Sequence, residues 1–95
     1  MKDLAFELRV PADPAFRPLA ASAAGTYGAS VGMTEPDARA LEASLQEPVD
    51  RAAGADGDTV VQVRVCRVNG ELEITVAGEG DPTTVSRPLP AGRRA

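Results

Sequence analysis

The chain has 95 residues, enough for one domain with a modest core, and 43% of them are apolar, mostly Ala and Val, with three aromatics. A net charge of −4 and a pI near 4.7 argue against nucleic acid as the main ligand, because a phosphate-reading face needs clustered Lys and Arg. The absence of histidine removes Ser-His-Asp and Cys-His catalysis and imidazole metal ligands, and a single cysteine excludes an internal disulfide.

That cysteine usage fits a reducing cytoplasm. No N-terminal apolar run reads as a signal peptide, and no stretch approaches the ~20 apolar residues of a membrane span. Nine of the ten basic residues are Arg and Ala is abundant, a bias expected of a GC-rich bacterial genome.

In chain order, "DLAFELRV" alternates, with Leu4, Phe6, Leu8 and Val10 on one side, so it reads as a half-buried strand ended by Pro11. A first helix follows. Asp13 before Pro14 is a good start, although Pro18 sits poorly four residues later, and the helix begins either there or at Pro18. Phe16, Leu19, Ala23, Tyr27 and Val31 recur at helical spacing and predict its buried stripe, and Gly32 is its stop.

A second helix opens at "TEPD", with Thr34 as cap and acids at the positive helix end. Its stripe is Ala38, Leu41, Leu45, Val49 and Ala52, and Gly54 ends it. Residues 35–58 hold seven acids against two arginines, which predicts a solvated acidic face or one that receives a basic partner. Within this helix Glu47 is followed by Pro48, which removes one backbone hydrogen bond and crowds the carbonyl of Ser44, at a cost of roughly 3 kcal/mol.

The clearest signal is "TVVQVRVCRV", then Asn69-Gly70, then "ELEITVA". Asn-Gly between alternating runs predicts a two-residue hairpin turn with both residues at positive φ. The register then pairs Val68 with Glu71, Arg67 with Leu72, Val65 with Ile74 and Val63 with Val76. Cys66 falls on the polar face of the hairpin. From Gly78 the chain is rich in Gly, Pro and Thr. It reads as the loop "GEGDP" and then, from residue 83, a mobile tail.

The expected architecture is α/β (α+β), a two-layer sandwich. A three-stranded sheet carries two helices on one face, in the order β-α-α-β-β plus a C-terminal tail. Residues 1–82 form the domain and 83–95 the tail. The expected core is Leu4, Phe6, Leu8, Val10, Phe16, Leu19, Tyr27, Leu41, Leu45, Val49, Val63, Val65, Leu72, Ile74 and Val76.

This order of elements, with "LRVPADP" at its start, resembles the N-terminal half of the anti-sigma factor serine kinases. These belong to the histidine-kinase-like (Bergerat-fold, Hsp90-like) ATPases. The resemblance covers roughly residues 4–82. In that family the second helix carries a Glu and, four residues on, a magnesium-ligating Asn. A later Asp-x-Gly-x-Gly motif reads adenine. Glu47 stands at the Glu position, but Arg51 replaces the Asn, and a guanidinium has no acceptor atom for magnesium. Gly78 stands at the Asp, Gly80 at the middle Gly and Pro82 at the last Gly. The chain also ends about where the family's ATP lid begins.

The resemblance therefore implies a pseudo-ATPase scaffold with no enzymatic activity and no cofactor, acting as a protein-interaction module. The implied partner is a sigma factor or an anti-anti-sigma-like regulator, met by Glu42, Glu47, Asp50 and Arg51. An unpaired edge strand predicts a homodimer. Two alternatives stand beside this reading. One is residual ATP–magnesium binding through Glu47, Gly78 and Gly80; the other is a small α/β domain of a different role.

Overall fold

A computed structural model of the chain describes residues 2–54, 60–78 and 80–89. It is an α+β domain: β1 (Lys2–Pro11), α1 (Arg17–Ser30), α2 (Glu35–Ala53), β2 (Val60–Val68), β3 (Glu71–Ala77) and β4 (Thr83–Pro88). The strands form one antiparallel sheet in the order β1-β2-β3-β4. No helix among the described residues is long and apolar enough to cross a membrane.

The hairpin forms as its sequence dictates. Asn69 and Gly70 take φ of 52° and 82°, and the four expected pairs occur in the β2–β3 ladder. Val61, Val63, Val65, Leu72, Ile74 and Val76 point to one face and are buried. Leu41, Leu45, Val49, Ala52 and Ala53 of α2 close over them in one continuous core. The helix ends also follow their caps. Thr34 Oγ1 accepts from the Asp37 N–H at 3.3 Å. Gly32 at φ 113° closes α1, with Gly32 N–H donating to Ala29 O and Met33 N–H to Gly28 O at 3.0 Å, a Schellman ending.

The sheet has four strands, not three. Thr83–Pro88, expected as mobile tail, pairs with β3 from Val76↔Thr83 to Glu71↔Pro88. Val85 and Leu89 pack against the core, and Leu89 N–H donates to Gly70 O at 2.9 Å. An edge strand needs only one ladder, so Pro82 and Pro88 flank it without loss. The remainder of the expected tail lies outside the described residues.

The first helix is rotated from its expected setting. It starts at Arg17 with Pro18 in its first turn, preceded by a separate turn in which Phe16 N–H donates to Asp13 O at 2.9 Å. Its buried face is Ala20, Ala21, Ala24, Gly25 and Gly28, whereas Phe16 and Leu19 are 44% and 53% exposed. Small residues win because α1 lies close to α2. A Cβ on Gly25 would collide with the Glu42 side chain, and one on Gly28 would meet Met33 Sδ and, at 3.7 Å, Leu41. Bulk on that face would push the helices apart. The expected core members Leu4, Phe16 and Leu19 are thus exposed, and Phe6, Leu8 and Tyr27 are only partly buried.

Leu4 leaves the core because β1 is irregular between Leu4 and Phe6. Beyond that bulge Leu4 pairs with Cys66 rather than with a core-facing valine. Cys66, expected on an open polar face, is buried at this position and carries a free thiol. The rest of that face is polar. Glu7 accepts from Gln62 and Arg64, and the hydroxyls of Thr75 and Thr84 lie 3.3 Å apart.

Candidate functional site

The two segments that carry the family-like motifs meet. The C-terminal turns of α2 and the loop after β3 line a cleft of about 470 Å³. Its walls are Pro48, Arg51 and Ala52 on one side and Gly80, Asp81, Pro82 and Thr83 on the other. Pro48 is buried, and α2 runs through it without a break from Glu35 to Ala53. Arg51 is one helical turn further on and reaches the cleft, with its side chain exposed.

Gly78 sits at the back of this region, against α2. A Cβ placed on it would collide with the Ala52 carbonyl oxygen and lie 3.0 Å from the carbonyl carbon. The position that the resemblance aligns with an adenine-reading carboxylate therefore has no room for a side chain as the backbone stands. The backbone of β3 or of α2 would have to shift first.

Glu47 is exposed and does not line the cleft. Pro48 and Arg51 turn toward it from the same helix, and Glu47 stays on the outer ridge. The fit to a magnesium–nucleotide is poor on donor chemistry. Arg51 presents a cation at the position that the resemblance aligns with an oxygen ligand, and Asp81 is the carboxylate among the described residues that line the cleft. Among the described residues, no three His, Cys, Asp or Glu side chains cluster as a metal site.

On the other flank of α2 a second groove, of about 360 Å³, separates it from α1. Glu42, Gln46 and Asp50 line it from α2, and Arg17 and Ser22 from α1. Arg17 is its fixed point. Its Nε donates to Ala12 O at 2.7 Å, and its guanidinium reaches Asp50 Oδ1 at 3.3 Å. One side chain thus ties the end of β1, the start of α1 and the last turn of α2.

The four residues expected to meet a partner are consequently divided. Glu42 and Asp50 face the α1–α2 groove, Arg51 faces the other cleft, and Glu47 tops the ridge between them. Sequence spacing could not show Asp50 held by Arg17, a residue 33 positions away.

A comparison with protein-family models gives no match, and a comparison with curated proteins gives none either.

Proposed function

We propose that the chain is a non-catalytic, two-layer interaction module that binds a protein rather than a nucleotide. The observation that carries this reading is the chemistry of the cleft beside α2. Arg51 stands at the magnesium position, and the Ala52 carbonyl closes the space beside Gly78. The Arg51 guanidinium disfavours a metal at that position, and the Ala52 carbonyl disfavours a side chain at Gly78. What remains of use on α2 is its outer surface.

In this reading the α2 ridge around Glu47, flanked by Glu42, Asp50 and Arg51, receives a partner with a basic surface. The resemblance to anti-sigma factors supports a sigma factor or an anti-anti-sigma-like regulator as that partner, in the bacterial cytoplasm. Exposed charges of this kind steer encounter and specificity more than they raise affinity.

The test is a calorimetric titration of the chain with ATP and magnesium to millimolar concentration, repeated as a thermal-shift series. Neither binding heat nor a rise in Tm is expected. A saturable isotherm would support the second reading, residual nucleotide binding, which Asp81 at the cleft favours.

A further inference from the structure

The apolar stripe of α1 and the free edge of β1 lie side by side. Phe16, Leu19, Ala23 and Tyr27 occupy one flank of the helix, and none of them is fully buried. Tyr27 stacks edge-on against Phe6 of β1, with ring centroids 5.6 Å apart. The chain leaves β1 at Pro11 and Tyr27 returns to the level of Phe6, so α1 runs antiparallel to β1 over its core-facing side. Among the described residues the molecule therefore has a side wall whose lower course is an unpaired strand edge and whose upper course is partly exposed apolar side chains.

The two sheet edges are unlike. β4 is six residues long, is preceded by Pro82 and ends on Pro88, and exposes Thr84 and Ser86. Short length, prolines and polar side chains are the devices that blunt an edge. β1 is ten residues long, with Pro11 only at its end, and has half-buried Phe6 and Leu8 beside the stripe.

The geometry points to a second copy of this chain as the occupant of that wall, docked about a two-fold axis so that β1 pairs antiparallel with its own counterpart. Charge selects the register. Pairing centred on Glu7 or on Arg9 sets like charges opposite each other, which destabilises a ladder. Pairing centred on Phe6 runs into the bulge between Leu4 and Phe6. Pairing centred on Leu8 sets Glu7 opposite Arg9 of the other copy, twice, and Phe6 opposite Val10.

The helix agrees with that centre. Leu8 lies two residues, or about 6.6 Å, along β1 from Phe6. At 1.5 Å per helical residue this is about four residues back from Tyr27, at Ala23. The small side chain falls at the axis, where two helices approach most closely, and Leu19 of one copy faces Tyr27 of the other. Pairing centred on Leu8 overlaps residues 5–11 of the two strands, about 23 Å, and the molecule is 16 Å in its thinnest direction. That gives roughly 370 Å² per copy and roughly 740 Å² in all, the size of a weak, transient interface, so dissociation on the order of 100 µM follows.

Sedimentation equilibrium of the full chain between about 1 µM and 1 mM tests this. The expected limiting mass is twice the 9.8 kDa of one chain. Leu19→Glu and Arg9→Glu alter exposed side chains, and each raises the dimer dissociation constant about tenfold or more. Thr84→Glu on the β4 edge leaves it unchanged. Circular dichroism of each variant verifies folding, and if one unfolds the other carries the test. A monomer at every concentration overturns the inference, and so does a dimer weakened by Thr84→Glu but not by the wall variants. A monomer that also binds no nucleotide leaves the proposed function standing, so the two failures are distinguishable.

Discussion

Arg17 illustrates how burial decides the weight of a contact. Its ion pair with Asp50 is solvent-exposed on the acid side, where the carboxylate is 63% accessible, and pairs of that kind are worth about 0–1 kcal/mol. Its other bond goes to the carbonyl of Ala12, a residue with no accessible surface. An unpaired buried carbonyl costs about 1–3 kcal/mol. Denaturant unfolding of Asp50→Asn should therefore show little loss. Arg17→Ala should lose about 1–3 kcal/mol, and equal losses in the two variants would contradict this ranking. Gly78→Ala is expected to destabilise by about 1–3 kcal/mol, because the new Cβ meets the Ala52 backbone rather than a side chain that can move aside. Ile74, fully buried, should cost about 2–5 kcal/mol when cut to Ala; a loss below 1 kcal/mol, read from the same unfolding curves, would mean that the core is looser than its burial implies.

At the level of elements, the legible parts of the fold are those fixed by local chemistry. Asn69-Gly70 sets a turn and with it the whole β2–β3 register, and Thr34, Gly32 and Gly54 set helix ends, because each acts through backbone conformation within a few residues. Thr34→Ala should cost about 1 kcal/mol, measurable as a lower unfolding midpoint. The first helix was not legible in the same way. It carries two stripes at helical spacing, Phe16-Leu19-Ala23-Tyr27 and Ala20-Ala24-Gly28, and hydrophobicity favours the bulky one. Close approach to α2 selects the small one, and that is a property of the neighbour. β4 was missed because only Val85 of its inward positions is apolar, although Thr83, Val85, Arg87 and Leu89 do alternate with more exposed residues. Its role can be checked by deleting residues 83–95. That uncovers the β3 edge and part of the core, so soluble yield and Tm should fall; an unchanged Tm would return this segment to the status of a dispensable tail.

For the molecule as a whole, the candidate site was half legible. Of the residues that the family resemblance singles out for a nucleotide, Gly80 lines the cleft beside α2, whereas Glu47 and Gly78 do not. The departure of Glu47 from that cleft, the division of the acidic residues between two flanks of α2, and the exclusion of a side chain at Gly78 depend on how helix and sheet pack, which no spacing reveals. The two surfaces proposed to work, the α2 ridge and the β1–α1 wall, both lie outside the cleft. Backbone amide NMR of the labelled chain over a dilution series reads this most directly. The account predicts concentration-dependent shifts confined to residues 5–10 of β1 and 16–27 of α1, with Arg51, Gly80 and Thr83 still. Spectra that do not change with concentration, or changes centred on the cleft, would contradict it.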